Sequence, residues 1–131
     1  CNPNFHHEYT LSKLKSQGYK LALCSNSIRK SVNLMMEQSN LGQYFDITFS
    51  NEDVIRPKPD PQIYQLAMEK LDLSPDQCLV VEDNIIGIQS ATDAGGFVLR
   101  VQSPKEVKYD ALKKAIKNAE LFSSKKGDGD N

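Results

Sequence analysis

The sequence predicts an α/β domain in which helices flank a parallel sheet. Apolar runs of strand length alternate with segments of helical periodicity, and this alternation is typical of parallel strands joined by helical crossovers. Glycine and proline residues mark the boundaries between the two kinds of segment. With 131 residues, the chain is long enough to form one compact core.

The amino-terminal quarter predicts one helix and one strand. Asn2-Pro3 supplies a capping residue and a proline that suits the first helical position. The weak apolar stripe that follows stops at Gly18, a residue type common at helix ends. The apolar run at residues 20–24 has the length and composition of a strand.

A second helix and a second strand are predicted next. Ser27 is a suitable amino-terminal cap, and the helix is expected to end near Gly42. Four apolar residues recur at helical spacing and are predicted to face the core: Ile28, Val32, Met35 and Met36. The run Ile47–Phe49 then predicts a short strand.

The middle of the chain predicts a stiff loop that leads into a third helix. Three prolines fall within residues 50–61, and each of them fixes its own backbone. Asp60-Pro61 combines a good cap with a proline at the first helical position. The inward face of this helix is predicted to contain Ile63, Leu66, Ala67 and Leu71. A turn at residues 74–76 precedes a strand at residues 78–81.

The remaining third predicts two helices around a last strand. One helix ends at Gly95-Gly96, and the strand follows at residues 97–101. The apolar positions of the two helices are Ile88, Ala91 and Ala94, and then Leu112, Ala115, Ile116 and Ala119. We therefore expect a core domain over residues 1–122 and a flexible polar tail over residues 123–131.

The composition argues against partners that are recruited by charge or lipid. Sixteen basic and seventeen acidic residues leave a net charge of −1, so no global field attracts nucleic acid or an anionic membrane surface. No apolar run approaches the roughly 20 residues that span a bilayer. Cys1, Cys24 and Cys78 form no disulfide framework. We interpret them as reduced thiols of a cytoplasmic protein.

Polar residues with complementary chemistry follow two strands and occupy the proline-rich loop. Ser25 and Asn26 follow the first strand, Lys58 lies between two prolines, and Glu82-Asp83 ends the third strand. The carboxyl ends of parallel strands form the ligand crevice of such sheets. A hydroxyl, a fixed cation and a carboxylate pair able to hold Mg²⁺ suit phosphoryl transfer. The pattern thus predicts a phosphate-handling site.

Simpler structural roles remain open for each of these residues taken alone. The Ser25 hydroxyl could cap the next turn, Lys58 could be a solvated loop lysine, and Glu82-Asp83 could be an exposed acid pair. Arg56 is interpreted as a surface charge. His6 and His7 are also interpreted as surface residues, since no neighbouring Cys or carboxylate spacing resembles a metal site.

The chain resembles the haloacid dehalogenase-like hydrolases, in the branch that contains β-phosphoglucomutase and many small-metabolite phosphatases. The resemblance runs from Pro3 to Val101. It is carried by residues 18–27, residues 56–61 and residues 80–87, which are similar to the family's second, third and fourth motifs. The resemblance implies a Rossmann-like parallel sheet flanked by helices.

The same resemblance implies a role for each motif residue. Ser25 is the counterpart of the hydroxyl that binds the phosphoryl group, and Lys58 is the counterpart of the lysine that neutralises nucleophile and phosphate. Glu82 and Asp83 correspond to Mg²⁺ ligands. The substrate class implied is a small phosphorylated metabolite, and the reaction is that of a phosphatase or a phosphomutase.

The sequence departs from the family at its first motif. That motif is Asp-x-Asp-x-Thr on the central strand, where it supplies the aspartate that becomes phosphorylated and the acid-base aspartate. The only Asp-x-Asp is Asp128-Gly-Asp130, which has no apolar strand before it. We therefore expect a carboxyl-terminal part of the enzyme that lacks this strand and the cap, and that is inactive by itself. An amino-terminal segment or a second chain could fill the gap. The alternative is a non-catalytic phosphate- or partner-binding module.

Overall fold

The computed structural model describes residues 5–129, which form five α-helices, four short strands and four single-turn 3-10 helices. The elements are, in chain order, α1 (Phe5–Ser16), β1 (Ala22–Cys24), α2 (Arg29–Ser39), β2 (Ile47–Phe49), α3 (Gln62–Lys70), β3 (Leu79–Glu82), α4 (Ile85–Asp93), β4 (Phe97–Arg100) and α5 (Tyr109–Gly129). This order confirms the predicted α/β class. The predicted cap Asn2-Pro3 lies outside the described residues.

The strands form two parallel pairs. β1 pairs with β2, with Cys24 opposite Phe49, and β3 pairs with β4, with Glu82 opposite Arg100. Within residues 5–129, neither pair is hydrogen-bonded to the other. β1 and β3 therefore each have one strand neighbour and one unpaired edge.

One hydrophobic core joins both strand pairs through α3. Its buried members come from β2, α3, β3 and α4, and they are Phe49, Ile63, Tyr64, Ala67, Met68, Val80, Ala91 and Ala94. Ile63 and Ala67, predicted to lie on the inward face, are both buried. Tyr64 and Met68 were not predicted to face inward, yet they are also buried in α3.

The prediction for α2 was wrong in two respects. Ser27 is not the cap, because the helix starts after Ile28 and its first amide, on Arg29, donates to Glu52 Oε2 at 2.6 Å. On the predicted inward face only Val32 is buried, and Met35 is 44% exposed. The helix packs on β2 and on the turn at Gly42–Tyr44 that precedes β2. The contact covers only a narrow stripe around Val32, so the rest of that face meets solvent.

The start of α3 and the end of α5 bear on two other predictions. The Asp60 carboxylate accepts a hydrogen bond from the Gln62 amide at 2.9 Å, which is the capping role predicted for it, although Pro61 occupies the cap position. The last helix continues to Gly129, across much of the segment predicted to be a frayed tail. Its serines and lysines are compatible with a helix.

Candidate active site

Lys58 joins the carboxyl ends of β1 and β3. Its ammonium donates to the carbonyl oxygen of Cys24 at 2.8 Å and to Glu82 Oε2 at 2.7 Å. Its side chain is only 10% exposed, so it is not the solvated loop lysine of the structural alternative. Because Ser25 follows Cys24 directly, one lysine brings the second, third and fourth motifs together.

The loop that carries Lys58 is held by hydrogen bonds to Asn26 and to Ser90. The Lys58 amide donates to Asn26 Oδ1 at 3.1 Å, and Asn26 Nδ2 donates to the Lys58 carbonyl at 3.3 Å. The peptide bond to Pro59 is cis. Further on, the buried Ser90 hydroxyl donates to the carbonyl of Asp60 at 2.7 Å. Asn26, predicted to bind phosphate, thus holds the backbone of the lysine.

Ser25 continues the line of β1 into the turn before α2. Its amide donates to the carbonyl of Phe49 at 3.0 Å, and its Oγ accepts from the Ser27 amide at 3.0 Å. The hydroxyl therefore does cap the turn, as the structural alternative holds. Within residues 5–129 it donates to no acceptor, so its proton is available to a ligand oxygen.

Glu82 is buried, with 7% of its surface exposed, and it shares its Oε2 atom between two donors. One donor is Lys58 and the other is the hydroxyl of Tyr64. Tyr64 was not among the predicted site residues. A tyrosine on the core face of a helix needs a partner for its hydroxyl, and that requirement is the signal by which it could have been found.

The first turn of α4 is shaped around the Glu82 carboxylate. Asn84 caps the helix by accepting from the Gly87 amide at 2.9 Å. A Cβ atom at Gly87 would lie 2.0 Å from Glu82 Oε1, so any larger residue would displace the carboxylate. Placing a carboxylate at a helix amino terminus is also electrostatically favourable.

Asp83 is exposed beyond the end of β3, and its Oδ1 atom accepts from Asn84 Nδ2 at 3.0 Å. Glu82 Oε1 receives no hydrogen bond from any described residue. Carboxylates on two consecutive residues at the end of β3 have the donor chemistry that Mg²⁺ takes, since this ion is often held by one or two carboxylates and water. In residues 5–129, no three His, Cys, Asp or Glu side chains are grouped as a metal centre.

Burial keeps the Tyr64 phenol and the Cys24 thiol protonated. Burial, followed by the hydrogen bond to Glu82, raises the pKa of Tyr64, so the phenol remains a donor. Burial also raises the pKa of the Cys24 thiol to about 12. Cys24 and Cys78 are both unpaired. A protonated, buried Cys24 is not a candidate nucleophile.

Other predicted residues lie away from this cluster. Arg56 is a surface charge, as predicted, since its side chain is 61% exposed and pairs with Asp60 at 3.0 Å. His6 and His7 were predicted to be surface residues, but both are half-buried on α1. His7 Nε2 lies 2.7 Å from the carbonyl oxygen of Pro104. Among the described helices, none is long and apolar enough to cross a membrane.

Solved structures share the fold of this chain. A Thermotoga maritima protein assigned as a β-phosphoglucomutase aligns with 86% of this chain at 32% identity and a TM-score of 0.72. The β-phosphoglucomutase of Clostridium difficile aligns with 88% at 21% identity and a TM-score of 0.75 and shows the fold alone. The chain covers 52% and 57% of these two proteins. The Rossmann-like fold with helices around parallel strands is thereby confirmed.

Sequence comparisons agree with the structures. The Pyrophosphatase PpaX of Bacillus mycoides is 35% identical over 107 residues, which are 70% of this chain and 50% of that protein. A haloacid dehalogenase-like hydrolase domain-containing protein of Arabidopsis thaliana is 44% identical over 88 residues, or 65% of this chain and 28% of that protein. This chain thus spans half or less of these relatives. The profile of the haloacid dehalogenase-like hydrolases matches residues 1–101, and the chain belongs to that family.

Proposed function

We propose that this chain provides the phosphate- and metal-binding part of a Mg²⁺-dependent phosphatase or phosphomutase that acts on a small phosphorylated metabolite. The observation that carries the proposal is the buried Lys58 ammonium, fixed between the ends of β1 and β3 beside the free Ser25 hydroxyl proton. The names of the relatives, a pyrophosphatase and β-phosphoglucomutases, support phosphoryl chemistry.

Each residue of the site has a role in this proposal. Lys58 stabilises negative charge on the transferring oxygens, and its fixed position avoids a reorganisation cost. Ser25 donates its hydroxyl proton to another phosphoryl oxygen. Glu82 Oε1 and the Asp83 carboxylate would hold Mg²⁺, which supplies further charge neutralisation when bound. Asn26 acts through Lys58, whose backbone it holds.

The nucleophile of the proposed reaction is an aspartate that comes from outside the described residues. None of β1 to β4 ends in Asp-x-Asp. The unpaired edges of β1 and β3 are suited to accept a strand that carries it, either from an adjoining amino-terminal segment or from a second chain. Transfer to that aspartate would give an aspartyl-phosphate, which water or a second substrate then resolves.

A second candidate function follows from the same observation. Without such a strand, the chain would be a non-catalytic module that binds phosphate or a partner at the same site. The unpaired, reduced Cys24 and Cys78 are consistent with a cytoplasmic location under either function.

Hydrolysis of p-nitrophenyl phosphate tests the proposal. We expect the chain alone to show no turnover above a Glu82→Ala/Asp83→Ala control, because it lacks a nucleophile. Addition of a strand peptide with the Asp-x-Asp-x-Thr motif should produce Mg²⁺-dependent turnover that the double variant does not show. If the peptide binds and no turnover appears, the non-catalytic function is correct. Turnover by the chain alone would contradict the account of the nucleophile.

The metal site has its own expected outcome. With two carboxylates and no third protein ligand, Mg²⁺ should bind the chain weakly and in a manner that depends on ionic strength. Calorimetric titration measures this affinity, and Glu82→Gln should abolish binding. A micromolar dissociation constant would mean that further ligands belong to the site.

A further inference from the structure

We propose that Tyr64 is a positioning residue that holds the Glu82 carboxylate in one orientation and thereby keeps the Lys58 ammonium at the carboxyl ends of β1 and β3. The inference rests on the proposed function, since it assigns Tyr64 to the same site. It concerns a side chain that touches neither the phosphoryl group nor the metal. Tyr64 acts only through Glu82 and Lys58.

Two donors converge on one atom of the site. The Tyr64 hydroxyl and the Lys58 ammonium both donate to Glu82 Oε2. The terminal torsion of a glutamate is broad, so a single donor leaves the plane of the carboxylate free to rotate over a wide range. A second donor from another element removes that freedom.

The second step is the position of the Tyr64 ring. The Lys58 ammonium lies 5.1 Å from the ring centroid, within the range of a cation–π contact. Tyr64 is 8% exposed and packs in the hydrophobic core of α3. One rigid side chain therefore touches both members of the ion pair, with its ring on the cation and its hydroxyl on the anion.

The third step is the surroundings of the other carboxylate oxygen, Oε1. No described donor reaches this oxygen, and it stands where a Cβ atom of Gly87 would lie. Among the described residues, only the donors on Oε2 therefore fix the plane of the carboxylate. The Tyr64 hydroxyl is the contact that opposes rotation of that plane away from Lys58.

The test replaces Tyr64 by Phe in the whole chain, which removes the hydroxyl and keeps the ring. We expect Tyr64→Phe to speed hydrogen exchange of the Lys58 ammonium with water about tenfold, as for loss of a hydrogen bond to a charged group. Nitrogen-15 NMR of the lysine ammonium groups measures this rate. Calorimetry should show Mg²⁺ affinity reduced by a similar factor.

Tyr19→Phe is the matched control, because the Tyr19 hydroxyl also contacts a lysine, accepting a hydrogen bond from Lys113 at 2.9 Å. Tyr19 lies between α1 and β1, and Lys113 lies on α5, so neither belongs to the candidate site. The control should change neither the Lys58 exchange rate nor the Mg²⁺ affinity. A Tyr64→Phe variant that folds and leaves both quantities at their original values overturns the proposal. A loss of thermal stability alone would indicate a purely structural tyrosine.

A measurement on the unmodified chain keeps the proposal testable if Tyr64→Phe does not fold. A phenol that donates to a buried carboxylate should give a slowly exchanging, downfield hydroxyl resonance for Tyr64. Its absence would overturn the proposal. None of these readouts needs substrate turnover, so they can succeed while the hydrolysis test fails, and the reverse.

Discussion

Two ion pairs at strand ends differ sharply in their surroundings. Lys58 and Glu82 pair at 2.7 Å, and their side chains are 10% and 7% exposed. Arg29 and Asp53 pair at 2.5 Å beside the end of β2, with side chains 32% and 36% exposed. The first pair is therefore largely removed from water, whereas the second remains partly solvated.

The Arg29–Asp53 pair is a clamp on the backbone. Arg29 donates to the hydroxyl and to the carbonyl of Thr48, both at 2.8 Å. Asp53 accepts from the Ser50 amide at 2.7 Å as part of a capping box. Every partner of this pair is a local structural group, and together they fasten α2 to the end of β2.

The Lys58–Glu82 pair has fewer partners and is largely excluded from water. A buried ion pair has a desolvation cost that its attraction does not always offset, so it is weak evidence for a stabilising role. The two pairs therefore differ in burial and in the chemistry of their partners. The buried pair joins two strand ends at the candidate site, whereas the half-exposed pair is held by backbone and hydroxyl groups beside β2.

Removal of the carboxylate from each pair should give the largest difference between the two pairs in the free energy of unfolding. Glu82→Ala leaves a buried lysine without its partner and should lower the free energy of unfolding by about 3–5 kcal/mol. Asp53→Ala removes a half-exposed pair and should lower it by about 1 kcal/mol. Denaturant unfolding measures both. Equal losses would contradict the assignment of Glu82 as the buried partner.

A strand that pairs with the free edges of β1 and β3 should have the next largest effect on stability. We expect the isolated chain to be marginally stable and to self-associate through β1 and β3. A peptide with an apolar strand ending in Asp-x-Asp should raise the melting temperature, because a ligand present at 100 times its dissociation constant stabilises a fold by about 2.7 kcal/mol. A monomer that melts sharply, at a temperature that the peptide does not change, would mean that the two strand pairs need no further strand.

The smallest effect is the pH dependence of folding stability that comes from Asp53 in the Arg29–Asp53 pair. The hydrogen bond from the Ser50 amide, and then the Arg29 side chain, lower the pKa of Asp53 below its ordinary value of 3.8. The carboxylate thus stabilises the fold above pH 3.8, and that contribution is lost as the pH falls through the lowered pKa. Asp53→Asn should flatten the fall in stability below about pH 4. An unchanged acid profile in that variant would contradict this assignment.

The sequence could predict which residues meet at the site but not how they bond. Parallel crossovers place strand ends at one edge, so Ser25 and Glu82 could be located from the order of the elements alone. The contact between Tyr64 and Glu82 depends on how α3 is rotated against β3, which no local pattern specifies. Asn26 was missed as a backbone clamp for the same reason, since its partner lies on a distant loop.

The predictions for α2 failed for a different physical reason. An apolar face predicts burial only if another element covers it, and α2 meets β2 along a narrow stripe. Met35 therefore remains exposed although its spacing is that of a core residue. Helical periodicity indicates which residues share a face, whereas the extent of burial depends on the neighbouring elements.

Measurement of turnover separates a functional Lys58–Glu82 pair from a structural Arg29–Asp53 pair. In a protein that contains the Asp-x-Asp-x-Thr strand, Lys58→Ala should reduce p-nitrophenyl phosphate hydrolysis at least about 100-fold, the scale for loss of a preorganised electrostatic contact. Arg29→Ala in the same protein should leave turnover within a few-fold of the original at a temperature where both variants are folded. Similar losses in the two variants, or only a few-fold loss for Lys58→Ala, would contradict the account.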